Sequence, residues 1–414
     1  MMVSKKRWNW KHILFILGIM GPGIITATVD NDAGGIATYS IAGAHFGLSM
    51  LWTLIPITIL LILVQEMVAR IGAVSGKGLA DLIRENFGIK LTFFIMIGLI
   101  IANLFITVSE FAGIAAAGEM FNVSRYILVP LSAFVVWFLI IKLNYKVLEK
   151  VFLVMILFYL AYIVSGIMAK PDWIPVMKEL VRPQLQFSKE YLFLLIAVIG
   201  TTITPWMQFY LQSSIVEKGI GKKEYKYSRW DVIIGSFTTD IVTFFIIVTC
   251  AATLFVNGIR VEGAVDAAQA LQPLAGQYAS LLFGVGFFGA ALFGAFILPL
   301  STSFYVCEAF GWESGVNKKF KDAKNFYILL SVIIFFSAAV ILIPNIDLLF
   351  IIILAQFING ILMPVILIII LKLVNDRKLM GDYVNNKFFN IIAWGGCGLI
   401  ILVTVLMLAS MIIG

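Results

Sequence analysis

The sequence predicts an all-α membrane protein, with eleven transmembrane helices forming one polytopic domain over residues 1–414. Three observations predict it. Of the 414 residues, 61% are hydrophobic and only 13% are charged, against about 45–50% and about 25% in an ordinary soluble domain. Eleven windows reach the roughly 20 mostly apolar residues that a crossing needs. The basic residues alternate with those windows as membrane topology requires. A water-soluble enzyme, a disordered chain and a secreted disulfide scaffold are excluded. The net charge of +7 reads as basic cytoplasmic loops, so the bilayer is the expected partner and nucleic acid is not. The sequence leaves the oligomeric state open.

The windows lie near 13–44, 48–72, 91–121, 126–143, 149–168, 191–216, 231–256, 279–310, 325–344, 347–374 and 388–412. The first is too long for a signal peptide and more spans follow it. With a cytoplasmic N-terminus, the segments assigned inside carry 24 of the 30 basic residues. These include Lys5, Lys6, Arg7 and Lys11 before the first span, and Lys218, Lys222, Lys223, Lys226 and Arg229 after the sixth. The outside keeps 6: Arg125, Lys170, Lys178, Arg182, Lys189 and Arg260. A multi-pass plasma-membrane protein with its N-terminus inside and C-terminus outside is therefore expected. Trp8 and Trp10 fall where an interfacial belt belongs. The stretch 171–187 reads as an extracellular loop, and 263–280 as an extracellular amphipathic helix.

Cysteine and histidine are scarce. Cys250, Cys307 and Cys397 lie far apart in apolar runs and read as small hydrophobes. His12 and His45, the two histidines, fall near the membrane surfaces. A thiolate or imidazole metal cage is thus not available. No cofactor and no catalytic residue is expected, and ligand binding has to rest mainly on oxygen.

Two spans are interrupted. In the first, Asp30, Asn31, Asp32, Ala33, Gly34 and Gly35 stand at mid-span, where glycine weakens a helix and one Asp costs about 2.5–3.5 kcal/mol on insertion scales. In the sixth, Gly200, Thr201, Thr202, Thr204 and Pro205 break the apolar run, and the proline frees the carbonyl of Thr201. Breaks in spans 1 and 6 occupy corresponding positions if spans 1–5 and 6–10 are repeats. That is the pattern of an inverted-repeat transporter with its site between two broken helices. Freed carbonyls beside a carboxylate suit a hard cation such as Mg²⁺, Mn²⁺ or Ca²⁺.

Other intramembrane polar residues have two readings each. Asp30 is a vestibule acid or the partner of a nearby donor. Asn31 and Gln208 are donors to coordinated waters or links between helices. Asp240 lines an aqueous path or bonds a neighbouring helix. Gln356 and Asn359 reach the site or hold the bundle together. Glu66, four residues before Arg70, reads as an i,i+4 pair. Glu308 and Glu313 read as part of a cytoplasmic interface.

The run GPG-x8-D-x-G-x-x-A-T, from Gly21 to Thr38, resembles the first helix of the NRAMP family of divalent metal transporters, whose usual form is GPG, eight residues, then DPGN-x-A-T. The segment QEMVARIGAVSGKGLADLIRENFG, from Gln65 to Gly88, is also similar to that family. So is Gln356 within AQFINGILMP. The resemblance implies a LeuT-like inverted repeat, alternating access, and a metal site at Asp32, Gly35, Thr201, Thr204 and Gln356. Asp32 falls on the family's metal-binding Asp, Gly35 on its Asn and Thr204 on its Met. Glu110 stands for the Asp of the family's D-L-A-E in span 3, while Gly113 replaces the Glu. The two histidines of the family's sixth helix are replaced by Trp206 or Met207 and by Gln212. A sulfur-free site widened at Gly35 is similar to that of the NRAMP-related magnesium transporters. The main expectation is uptake of partly hydrated Mg²⁺, and of Mn²⁺, without obligatory proton coupling. A proton-coupled Mn²⁺/Fe²⁺ symporter is the alternative, and a LeuT-like carrier of organic solutes is a third reading.

Overall fold

The computed structural model describes residues 21–261, 266, 268 and 277–413, and their regular structure is helical throughout. Expectations for Lys5, Lys6, Arg7, Trp8, Trp10, Lys11 and His12 lie outside the described residues, as does most of the helix expected over 263–280. The chain begins with two short helices, α1 (Pro22–Thr28) and α2 (Ala33–Phe46). After a 3₁₀ stretch at Gly47–Thr53 come α3 (Leu54–Ser75), the short α4 (Leu79–Phe87), α5 (Ile89–Met120) and α6 (Arg125–Lys142). A pair follows, α7 (Tyr145–Met155) and α8 (Leu160–Met168), joined by a 3₁₀ turn at Ile156–Tyr159. Next are α9 (Trp173–Leu180), α10 (Lys189–Thr202), α11 (Pro205–Glu217) and α12 (Tyr225–Cys250). The chain ends with α13 (Gln277–Phe310), α14 (Lys324–Ile341), α15 (Leu348–Val374), the single turn α16 (Arg377–Met380) and α17 (Lys387–Ile413).

Among the described residues, nine helical segments are long and apolar enough to cross a membrane. They are not equivalent. In α13, 72% of the most apolar window is buried inside the protein, against 28% in α6. So α13 is a central post, packed by α5, α8, α11 and α14. Helix α6 instead turns Tyr126, Ile127, Leu131, Phe134 and Phe138 outward, the surface a lipid-facing helix presents.

Helix α12 is the second post, against α1, α2 and α3. Glycine makes that packing possible. A Cβ on Gly23 would stand 2.6 Å from the backbone nitrogen of Val232, and one on Gly235 would stand 2.7 Å from the carbonyl of Gly23. Small residues let helix backbones touch in this way. The N-terminus of α1 is then fastened to α12 by a carboxylate: Asp231 accepts from the backbone N–H of Gly21 at 3.0 Å, Gly23 at 2.6 Å and Ile24 at 3.3 Å. These are amides that a helix start leaves without intrahelical partners.

One local expectation is corrected. The stretch read as a plain loop over 171–187 contains α9. Asp172 caps it, accepting from the Ile174 N–H at 3.1 Å. Its buried Val176 and its packing on the Gly47–Thr53 turn supply the apolar face. Pro171, Pro175 and Pro183 mark it as loop in the sequence, but a proline within the first turn removes no helical hydrogen bond.

Candidate functional site

The break between α1 and α2 forms because the residues after Val29 have better partners than a helix would give them. Asn31 donates to the Thr239 carbonyl at 3.0 Å and to the Thr239 hydroxyl at 2.6 Å, and accepts from the Thr243 hydroxyl at 2.9 Å. Its amide is thus spent on α12, which favours the helix-linking reading over that of a donor to coordinated water. Asp32 is the N-cap of α2: one carboxylate oxygen accepts from the Gly35 N–H at 2.7 Å, the usual role of Asp before a first turn. Glu110 of α5 reaches the same helix start and accepts from the Ala33 N–H at 3.2 Å. Two carboxylates therefore share the positive end of one helix.

The second break lies between α10 and α11. Pro205 occupies the first helical position of α11, and Thr204 before it is extended, with φ −94° and ψ 149°. A residue preceding proline is driven out of the α region. The Thr202 hydroxyl donates to the Val198 carbonyl at 2.8 Å and lies 2.8 Å from the Tyr39 hydroxyl of α2. The hydroxyls of Thr201 and Thr204 are buried and find no hydrogen-bond partner among the described residues.

The two breaks meet at Gly35. A Cβ there would stand 2.6 Å from the Asp30 carbonyl oxygen, 3.3 Å from the Thr201 hydroxyl and 3.5 Å from an Asp32 carboxylate oxygen. Carbonyl, hydroxyl and carboxylate oxygens thus converge within one small volume. Gln356 of α15 lies over Gly34, where a Cβ would collide with its amide, and neither polar atom of that amide has a hydrogen-bond partner among the described residues. Gln208, one turn into α11, donates back to the Thr204 carbonyl at 3.3 Å, and its own oxygen has no partner among the described residues. Asp240 of α12 sits beside Thr58 of α3, within electrostatic range of Asp30.

The structure therefore brings Asp32, Gly35 and Thr201 together, with Gln356 on the adjoining glycine and Glu110 at the same helix start. Asp240 belongs to an adjoining acidic group with Asp30. The space at Gly35 corrects an expectation. The missing side chain does not widen the site, because the Asp30 carbonyl occupies the approach that a Cβ would block.

Asp30, Asp32, Glu110 and Asp240 are all buried. None is in an ion pair among the described residues. Carboxylates at membrane depth must be neutralised by a cation or a proton. Among the described residues, no three His, Cys, Asp or Glu side chains gather as a metal cage. An ion between the breaks would thus complete its coordination with carbonyl, hydroxyl, amide and water oxygens, a donor set that suits hard divalent cations.

Asp231 and Tyr159 escaped the sequence reading. An acid at the end of a span looks interfacial, so nothing marked Asp231 as the fastening of α1. Tyr159, in the 3₁₀ turn between α7 and α8, is buried, its hydroxyl has no hydrogen-bond partner among the described residues, and it lies within electrostatic range of Asp32 and Glu110. Its apolar neighbours gave no signal. Glu66 and Arg70 do pair at 3.1 Å. Asn385 and Tyr225 also bond to that pair, tying α3 to the segment before α17 and to α12.

Comparison with known proteins places these features in context. The family described as "Nramp: Natural resistance-associated macrophage protein-like" matches residues 23–410. A protein of Klebsiella pneumoniae subsp. pneumoniae named "Divalent metal cation transporter MntH" is 29% identical over 395 residues, covering 91% of this chain and 90% of its own. Its counterpart from another Klebsiella pneumoniae strain is 28% identical over 393 residues, with the same shares covered. Among solved structures, a variant of the Eremococcus coleocola manganese transporter superposes with a TM-score of 0.78 at 20% identity, covering 99% of this chain and 88% of that one.

Proposed function

The chain belongs to the Nramp family, a family of multi-pass membrane transporters rather than enzymes, and we propose that it carries divalent metal ions of the Mn²⁺ class. The observation that carries the reading is the meeting of the Asp30 carbonyl, the Thr201 hydroxyl and the Asp32 carboxylate at Gly35. In this proposal Asp32, Thr201, Thr204 and Gln356 hold the ion, and Gly35 lets the Asp30 carbonyl approach it. Asp30, Glu110 and Asp240 balance charge around it. Asn31 and Gln208 set the two broken segments.

The expectation of Mg²⁺ as main substrate is overturned, and the relatives do not single out a magnesium branch within the family. The relatives are named as divalent metal cation and manganese transporters. The physical reason lies in the donor set. Losing a thioether removes a preference for soft ions, but carboxylate, carbonyl and hydroxyl oxygens serve Mn²⁺ as readily as Mg²⁺. The widening that was to favour a hydrated ion is absent at Gly35. The accompanying expectation of uptake without protons falls with it, and the proton-coupled alternative is the better supported reading. Asp30, Glu110 and Asp240 are this chain's candidates to carry the protons, in place of histidines that it lacks.

The topology proposed is eleven crossings in a LeuT-like inverted repeat, with the lysine-rich loops and the N-terminus cytoplasmic and the C-terminus outside. The helical run Ala33–Ser75 has 43 residues and changes course at Gly47, whose φ is 58°, so it serves two crossings. Helix α17 supplies the last. Alternating access would then move the α1–α2 and α10–α11 pairs against the posts α12 and α13.

Flux into sealed proteoliposomes tests the proposal. With a metal dye and a pH dye in the same vesicles, Mn²⁺ should enter and the lumen should acidify, both signals disappearing in Asp32→Ala. Mn²⁺ entry that survives Asp32→Ala would overturn the site. Mn²⁺ entry without acidification would overturn the coupling.

A further inference from the structure

At the end of the bundle away from the lysine-rich loops, His45 sits in the last turn of α2. Its Nδ1 lies 2.9 Å from an Oε1 of Glu190, in the first turn of α10, and its Nε2 lies 2.9 Å from the carbonyl oxygen of Val261, in the segment after α12. The His45 side chain is 16% exposed, so its charge can equilibrate with the bath. The same Glu190 oxygen also pairs with Arg260 at 3.4 Å.

Both partners of the ring are acceptors. A neutral imidazole has one N–H and one lone pair, so one of these contacts would set lone pair against lone pair; the imidazolium donates from both nitrogens. The observed geometry is therefore satisfied by the charged ring. We infer that His45 is a pH-operated latch, tying the outer ends of α2 and α10 to the Val261 segment when it is protonated and releasing them when it is not.

The position gives the latch its consequence. Helix α2 begins at Asp32, and α10 ends at Thr201 and Thr202. The ring thus joins the far ends of the two half-helices whose near ends form the candidate site. The charged groups paired in this cluster among the described residues are Glu190, with His45, and Arg260, with Glu190. Tyr191, which stacks edge-on with Phe46 at 5.2 Å, has its hydroxyl directed to the Gln184 and Ser49 carbonyls instead. Histidine changes charge between about pH 5 and 8. Because only the protonated ring donates to both acceptors, the latch is made at acid pH and lost at alkaline pH.

The test is amide hydrogen exchange of the full-length protein, read on peptides covering 40–48 and 188–194 and corrected for intrinsic chemical exchange. Protection in the wild type should be about threefold greater at pH 5.5 than at pH 8, the size expected of a partly exposed charge pair. His45→Gln and Glu190→Gln should each abolish that difference and hold both peptides at the pH 8 level. Mn²⁺ flux of both variants at pH 8 should match the wild type, which shows them folded. Equal protection at the two pH values in the wild type would overturn the inference. So would a pH dependence that persists in His45→Gln. The exchange readout does not depend on the metal proposal, so the two can fail separately.

Discussion

At the residue scale, the decisive position is Gly35. Its lack of a side chain admits the Asp30 carbonyl to the point where the two helix breaks meet. Gly35→Ala puts a methyl 2.6 Å from that oxygen and must displace it, at a cost of about 1–3 kcal/mol for an overpacked site. The expected outcome is a loss of Mn²⁺ affinity of tenfold or more with the protein still folded, measured by Mn²⁺ titration of the purified protein. Unchanged affinity would mean that the Asp30 carbonyl is not a ligand. The sequence makes this position visible but not its meaning. Asp32, Thr201, Thr204 and Gln356 stand out because each is a polar interruption of an apolar window. The absence of a side chain at Gly35 reads equally as open space or as close approach, and only the backbone path distinguishes them.

At the element scale, α1 is held only weakly by its own hydrogen bonds, with seven residues between Gly21 and Val29. Its position depends on the Gly23–Gly235 contact and on three N–H groups converging on Asp231. Bonds to a charged acceptor contribute about 1.5–3 kcal/mol each where buried. Asp231→Asn replaces one acceptor oxygen by an NH₂ group that opposes the backbone donors. The amides of residues 21–28 should then exchange at least tenfold faster, while those in α13 stay unchanged. If all helices loosen together, Asp231 supports the whole fold and not α1 in particular. The sequence hides both this residue and His45 for one reason: polar side chains at span ends are expected at a membrane surface, so composition there says little. The helix Trp173–Leu180 was hidden by its prolines, although Asp172 stands ahead of it as a cap.

At the scale of the whole molecule, two posts, α12 and α13, hold two broken pairs, and the buried acids lie where those pairs meet. The many-span helical membrane fold was legible because lipid demands long apolar windows and a bias of basic residues. The choice of ion was not, because an oxygen donor set is shared by several hard cations. The proposed function requires a divalent metal between the breaks on oxygen ligands. Anomalous diffraction from Mn²⁺-soaked crystals tests it most directly. One strong peak is expected in contact with the Asp32 carboxylate, the Asp30 carbonyl and the Thr201 hydroxyl, and none in Asp32→Ala crystals. A peak held elsewhere, or one that remains in Asp32→Ala, would contradict it.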